Sequence, residues 1–184
     1  MKYKFINKEI DYTGEQLCSH FIQNTTGFFG DAIIAFKGAC KVDNYMVDLS
    51  DRMKRKFIYS ESMLHFLIEH FDDDLEKTII RKRLLISIML EEIRKMTNMK
   101  DVERRENGIY IEGKKLTVAV ATKSLVSTLI HAGLNIFSAN TPIKTSCLSD
   151  LGIDYKKFAV IIMKKYCEEM DSVKFSLAKV RGVK

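Results

Sequence analysis

The fold is decided by residues 63–96, whose sequence is MLHFLIEHFDDDLEKTIIRKRLLISIMLEEIRKM. Near its start, Leu64, Phe66 and Ile68 lie two residues apart, which favours a strand, although a run this short also fits a helix. After three aspartates, apolar residues recur with helical spacing over residues 75–96. A strand, an acidic turn and a long amphipathic helix together predict an α+β fold in which the helix covers a sheet.

Two further helices are predicted on either side of this stretch. Thr13 and Gln16 form a capping box, so a helix is expected over residues 14–24. Asp73 and Glu76 predict an acidic start for the long helix. The third helix is expected over residues 154–170, where Phe158, Ile161, Ile162 and Tyr166 form the apolar side.

Short apolar runs predict the strands. Residues 108–111 and 116–121 are expected to pair as a hairpin that turns at Glu112-Gly113-Lys114. The other predicted strands are residues 32–36, 46–49, one or two within 124–137, and 173–177.

Composition narrows the functional classes. The chain has 184 residues, 46% of them hydrophobic and 29% charged, which argues against disorder and predicts one domain over residues 1–184. There is no apolar run of about 18 residues and no signal peptide, so we expect a cytoplasmic protein with no membrane partner. The net charge of +6 permits anionic partners such as nucleotides or nucleic acid.

Cysteine and histidine spacing gives no support to a metal site. Cys18, Cys40, Cys147 and Cys167 include no Cys-x-x-Cys pair, so we expect buried, reduced thiols. The four histidines lack metal-ligand spacing, and no metal ligands are predicted. His131, in a predicted strand, is expected either to pack as a structural residue or to line a pocket.

Two segments could bind an anion. Lys115 follows a turn at the start of a strand, where neighbouring side chains point to opposite faces. Either it is one of a solvated lysine pair, or it points into a pocket and stabilises negative charge. Gly27 and Gly30 precede Asp31 and a buried strand, and that segment is either an ordinary turn or an anion-binding loop.

Three segments resemble biotin protein ligases. Residues 105–116 resemble their central motif, in which a Trp-Pro-Asn-Asp stretch leads to a strand, a turn and a lysine that contacts the reacting carboxylate and phosphate. Residues 130–136 look like that family's strand ending in Gly-Ile-Asn, and residues 146–154 resemble the segment before its last catalytic-domain helix. The likeness covers roughly residues 27–170.

The whole sequence also resembles a mainly archaeal, uncharacterised family, domain-of-unknown-function family 366. That family is grouped with biotin and lipoate ligases and class II aminoacyl-tRNA synthetases. The resemblance implies a mixed, mostly antiparallel sheet flanked by helices, and it implies no established activity.

The chain departs from the biotin ligase pattern at three places. Residues 27–31 lack the arginines of the loop that covers the adenylate. The Trp-Pro-Asn-Asp motif is replaced by Arg105-Glu106-Asn107-Gly108, which keeps the asparagine and loses the aspartate. Val118 replaces the glycine that follows the lysine strand, whereas the lysine is kept as Lys115.

The resemblance implies an enzyme that activates or transfers a small carboxylate ligand, with ATP and Mg as the expected co-substrate and ion. Lys115 would be catalytic. The implied ligand-binding residues are Gly27, Gly30, Asp31, Lys37, Asn107, His131 and Asn135.

Two other classes stay open. A basic protein that binds nucleic acid, plausibly tRNA, is supported by the Arg81-Lys82-Arg83 cluster and the basic C-terminus, although acidic neighbours also fit a mixed solvated surface. A non-catalytic ligand-binding or scaffold protein could keep the fold without the chemistry. Exposed edge strands would allow a homodimer.

Overall fold

The computed structural model describes residues 1–43, 45–54, 57–105, 108–137 and 145–183. These residues form strands and helices in mixed order. The strands are β1 (Lys2–Ile6), β2 (Ala32–Val42), β3 (Ile58–His70), β4 (Val102–Arg105), β5 (Gly108–Ile111), β6 (Lys114–Lys115), β7 (Thr117–Lys123) and β8 (Thr128–Asn135). The helices are α1 (Phe21–Thr26), α2 (Leu49–Met53), α3 (Leu75–Thr97) and α4 (Tyr155–Lys179).

The strands make one large sheet and one small sheet. The large sheet has the order β1-β2-β3-β8-β7, and the small sheet has the order β4-β5-β6. Within the large sheet only β1 and β2 are parallel, and the other neighbours are antiparallel. The predicted α+β class with a mixed, mostly antiparallel sheet flanked by helices is confirmed.

Side-chain alternation gives the large sheet two different faces. Leu64, Phe66 and Ile68 of β3 point to one face and pack in the core with buried residues of α3 and α4. Met63 and Leu67 point to the other face, where they pack with Tyr12 and other residues from the segment between β1 and β2. The face away from α3 and α4 is covered only in part, and this leaves room for a cavity.

The two central elements form as predicted. Residues 63–70 belong to strand β3, which settles the choice between strand and helix. Helix α3 follows, but its N-cap is Asp74 and not Asp73, because the Asp74 carboxylate accepts a hydrogen bond of 2.8 Å from the Lys77 amide. Helix α3 ends at Asn98, whose φ of 53° leaves the helical region.

The helix predicted over residues 14–24 is much shorter than expected. The Gln16 side chain does accept a hydrogen bond of 2.9 Å from the Thr13 amide, as in a capping box. However, Gly14 and His20 have φ values of 98° and 65°, which interrupt a right-handed helical path. The helix therefore extends only from Phe21 to Thr26.

Two predicted strands do not form, and a helix begins or continues at each place. Within residues 46–49, Asp48 is the N-cap of α2, since its carboxylate accepts hydrogen bonds from the amides of Ser50 and Asp51. Residues 173–177 belong to the last turns of α4, where Phe175 is exposed and lies under the Lys179 ammonium. A formed helix extends at little cost, whereas an alternating pattern needs a neighbouring strand to pair with.

The predicted hairpin turns where expected, but its second strand is only two residues long. Glu112 and Gly113 have φ values of 49° and 74°, and they connect β5 to β6. The chain then crosses between the sheets at Leu116. Its amide donates to Ile109 of the small sheet, and its carbonyl accepts from Asn135 of the large sheet.

The prediction that the cysteines are buried is correct for three of the four. Cys40, Cys147 and Cys167 are buried and reduced, but Cys18 is exposed. None of the described helices is long and apolar enough to cross a membrane.

Candidate functional site

A cavity of about 800 Å³ lies on the sheet face away from α3 and α4. Strands β3, β7 and β8 form its base, the small sheet forms one side, and residues from the segment between β2 and β3 form the other. Tyr45 and Phe57 of that segment line the cavity and are exposed. No pattern in the sequence of this mostly polar segment indicates that it lines a site.

Strand β8 carries three residues that share the cavity face. His131, Gly133 and Asn135 lie two residues apart, so their α-carbons present the same face of the strand. A Cβ atom at Gly133 would lie 2.3 Å from Sδ of Met63. Glycine is therefore required for Met63 to lie against β8, and Met63 and Val118 form an apolar wall between His131 and Asn135.

Lys115 lies at the mouth of the cavity, on the short strand β6. Its carbonyl accepts a hydrogen bond of 3.1 Å from the Ser146 amide, which fixes the backbone at this point. Among the described residues, no carboxylate lies within ion-pair distance of its ammonium group. Lys114 is exposed and borders a separate depression beside Glu112, as expected for neighbours on a strand.

Arg105 and Asn135 complete the described part of the mouth. Arg105 forms an ion pair with Glu103, and its guanidinium lies 5.0 Å from the centre of the Tyr110 ring. The Asn135 side chain is buried and donates a hydrogen bond of 3.3 Å to the Ser146 carbonyl. Asn107, also predicted to bind ligand, lies outside the described residues.

Three aromatic side chains meet at the cavity floor: Tyr12 and His131 line the cavity, and His65 is fully buried beside them. Nδ1 of His65 and Nε2 of His131 are 3.0 Å apart, so the two rings share a hydrogen bond. The Tyr12 ring stacks on His131 with 3.7 Å between ring centres and 13° between ring planes. The sequence pointed to His131 alone, because no pattern in the chain indicates that residues 12, 65 and 131 meet.

The floor is electrically neutral at pH 7. Burial lowers the pKa of His65 to about 4 and lowers the pKa of His131 well below its usual value. Burial also raises the pKa of the Tyr12 hydroxyl far above its usual range, and it raises the pKa of the nearby Cys40 thiol to about 12. The floor therefore offers uncharged hydrogen-bonding groups.

The predicted loop of Gly27, Gly30 and Asp31 lies far from this cavity. It precedes the first residue of β2, whereas the cavity is lined by Cys40 and Val42 at the other end of that strand. Eight residues of strand separate Ala32 from Cys40, which corresponds to about 26 Å. The structure does not bring this loop together with Lys115.

Asp31 belongs instead to a chain of buried polar groups. Its carboxylate lies 3.2 Å from Nδ1 of His70 and accepts a hydrogen bond of 3.0 Å from the Phe71 amide. Nε2 of His70 lies 3.0 Å from the hydroxyl of Tyr166 on α4. The hydrogen bond with His70 holds the pKa of Asp31 well below its usual range. These contacts explain Asp31 as a residue that ties α4 to the sheet.

Lys37 is also away from the cavity. The side chain of its neighbour Phe36 packs on the cavity face, so Lys37 points to the opposite face. Its ammonium lies 2.6 Å from the Glu9 carboxylate, with which it forms an ion pair.

The basic cluster on α3 is largely used within the protein. Arg81 forms an ion pair of 2.8 Å with Asp72, and Lys82 is only 5% exposed. Arg83 is the exposed member. Two of the three cations in this cluster are therefore not presented to a nucleic acid at the surface.

The described residues contain no group of three or more His, Cys, Asp or Glu side chains that could hold a metal ion.

Comparisons with known proteins agree with this architecture. The family model described as Domain of unknown function (DUF366) matches residues 1–181, and the chain belongs to that family. An uncharacterized protein of Methanocaldococcus jannaschii is 35% identical over 187 residues, which is 97% of this chain and 84% of that protein. A Pyrococcus horikoshi protein of unknown function has a solved structure with a TM-score of 0.91 and 32% identity, over 99% of this chain and 100% of that chain.

More distant structures show the wider fold. Biotin protein ligase from Aquifex aeolicus in complex with biotin and ATP has a TM-score of 0.60 and 16% identity, over 92% of this chain and 70% of that chain. A T. acidophilum protein described as a lipoate protein ligase candidate, with lipoic acid bound, has a TM-score of 0.61 and 13% identity, over 93% of this chain and 87% of that chain. The chain therefore has a biotin/lipoate ligase-like fold.

Proposed function

We propose that this DUF366 protein binds a small carboxylic acid in the cavity and activates it with ATP. The observation that carries the proposal is the position of Lys115, which lies at the mouth of a cavity of about 800 Å³ without a carboxylate partner among the described residues. Arg105 adds a second cation nearby. The two structural relatives with bound biotin, ATP or lipoic acid support this class of ligand.

The proposed reaction is transfer of an adenylyl group. A carboxylate oxygen of the ligand attacks the α-phosphorus of ATP and forms a mixed anhydride, while the bond to the β-phosphate bridging oxygen breaks and pyrophosphate leaves. The attacking carboxylate and the phosphate both carry negative charge, so their approach needs cations. Lys115 would neutralise the charge that accumulates on the phosphate oxygens in the transition state.

Acid-dependent exchange of labelled pyrophosphate into ATP tests the reaction directly. The protein is incubated with Mg-ATP and one acid at a time: biotin, lipoic acid or octanoic acid. We expect exchange with at least one acid, and a loss of at least about 100-fold in the Lys115→Ala variant, since removing one charge-stabilising donor typically costs 10²–10³ in rate. Lys114→Ala is the matched control, because Lys114 is the adjacent lysine on the opposite side of the strand.

Thermal unfolding measures binding separately from chemistry. A ligand present at 100 times its dissociation constant adds about 2.7 kcal/mol, which should raise the midpoint by about 5–10 °C for a chain of this size. A shift with an acid but no exchange would support a non-catalytic ligand-binding protein. Full exchange activity in a folded Lys115→Ala variant would overturn the assignment of Lys115, and a shift with tRNA alone would favour nucleic-acid binding.

A further inference from the structure

We infer that the end of the large sheet opposite the cavity is the surface through which two copies of this chain bind each other. Strand β2 begins at this end with Ala32 and reaches the cavity at Cys40. The surface carries exposed apolar side chains from three segments, and we call it the end patch: Phe29, Phe71, Leu75, Val173, Phe175 and Leu177. The inference concerns a different surface from the cavity and does not rest on the proposed function.

The contacts of Asp31 show that these segments lie side by side. Its carboxylate accepts a hydrogen bond of 3.0 Å from the Phe71 amide, and the Lys174 ammonium of α4 lies 3.7 Å from it. Phe29 is two residues before Asp31, and Val173 is next to Lys174. The loop before β2, the turn after β3 and the end of α4 therefore form one continuous surface.

The apolar side chains of the end patch face solvent. Phe29 is 75% exposed, and Phe175 and Leu177 of α4 are 66% and 74% exposed. Apolar residues exposed one at a time are normal on a folded protein, whereas a contiguous group from several segments marks a surface that binds another molecule.

Helix α4 continues beyond the part of the protein that supports it. Met170 is its last buried residue, and residues 171–179 are helical although all of them except Ser176 are exposed. A helical stretch of about two turns gains little stability from helix formation alone. Packing of Val173 and Leu177 against a second molecule would stabilise it.

The end patch carries both signs of charge in separate places. Asp73 and Glu76 lie at the start of α3, whereas Lys174 and Lys179 lie on the end of α4, and all four side chains are exposed. A nucleic acid or an anionic membrane would attract the two lysines but repel the two carboxylates. A surface of mixed charge fits a protein partner better.

A second copy of the chain matches this arrangement of charge. Because α3 begins and α4 ends at the same end of the sheet, one surface has an acidic half and a basic half. A two-fold axis through the end patch would place the acidic half of each copy against the basic half of the other, so that each contact occurs twice. The apolar side chains would then be buried in the interface, with the charges around them.

Sedimentation velocity of the 184-residue chain at about 1–100 µM tests the inference. We expect a reversible dimer whose dissociation constant rises with added salt, because salt screens the charges that pair across the interface. A chain that stays monomeric over this range overturns the inference.

Leu177→Ser identifies the surface, and Val160→Ser is the matched control. Both positions are exposed apolar residues of α4, but Val160 lies outside the end patch. We expect Leu177→Ser to raise the dissociation constant of the dimer at least about 10-fold, because it removes one buried leucine from each side of the interface, and Val160→Ser to leave it unchanged. A dimer that Leu177→Ser weakens no more than Val160→Ser forms through another surface and overturns the inference.

Charge reversal tests the two-fold arrangement. Lys179→Glu and Asp73→Lys should each weaken the dimer at least about 3-fold at low salt, and the double variant should recover most of the loss, because opposite charges again face each other. A double variant weaker than either single variant contradicts the arrangement. Sedimentation with vesicles that contain phosphatidylserine tests the other occupant: a monomeric chain whose vesicle binding is lost in Leu177→Ser assigns the end patch to a membrane surface and overturns the inference.

Discussion

Gly38 is the position at which a single methyl group should most disturb both the fold and the cavity floor. A Cβ atom there would lie 1.9 Å from the carbonyl oxygen of Ile10. That contact is with backbone, so it cannot be relieved by rotating a side chain. In Gly38→Ala, the segment that carries Ile10 and Tyr12 would have to move away from β2.

The loss of stability in Gly38→Ala can be worked out from the backbone hydrogen bonds that hold the segment carrying Ile10 and Tyr12 against β2. The amides of Ile10 and Tyr12 donate to Lys37 and Ala39 at 3.0 and 2.8 Å, and the Lys41 amide donates to Tyr12 at 2.9 Å. Each backbone hydrogen bond contributes about 1 kcal/mol net, so losing these bonds costs about 3 kcal/mol. That loss should lower the unfolding midpoint by about 6–12 °C.

Urea unfolding followed by circular dichroism measures this free energy, and Gly133→Ala is the matched control. Its added Cβ would meet Sδ of Met63 at 2.3 Å, but Met63 has a flexible side chain beside an open cavity. We expect a cost near 1 kcal/mol, at the low end of the range for added methyl groups in a core. A Gly38→Ala variant no less stable than Gly133→Ala would refute the reasoning.

Three further predictions concern the buried polar groups. Tyr166→Phe should destabilise the protein by about 1–3 kcal/mol in urea unfolding, because Nε2 of His70 loses its partner in the interior; an unchanged midpoint would contradict this. Lowering the pH from about 6.5 towards 4 should reduce the free energy of unfolding, since the folded state keeps His65 at a pKa of about 4 while the unfolded chain takes up its proton near 6.5. A His65→Gln variant should show a shallower slope over this range, and an equal slope would argue against the role of His65. Asp31→Asn should be less stable than wild type above about pH 4, and the difference should shrink at lower pH because Asp31 of the unfolded wild-type chain takes up a proton while the folded state still keeps it ionised; a difference independent of pH would contradict the effect of His70 on the Asp31 pKa.

The elements that the sequence predicts well are those whose burial pattern repeats locally. Helix α3 has one buried side over its whole length, and its acidic cap lies within one residue of the predicted position. The sequence predicts one or two strands within residues 124–137, and β8 lies there, with its alternate residues sharing one face. The spacing of apolar residues along a helix or strand indicates which side is buried, because each helical turn, or each pair of residues in a strand, returns to the same side.

The arrangement of the site depends on contacts that no local pattern contains. The cavity floor joins residues 12, 65 and 131 from three separate segments, and only strand pairing brings them together. The same pairing separates the glycine segment before β2 from Lys115, although the sequence suggested that both would bind one ligand. The sequence by itself determined the α+β class, the long helix and the strand that carries His131 and Asn135. Tertiary structure decided which polar groups share the cavity, because strand register and chain crossings are set by packing between residues far apart in the chain.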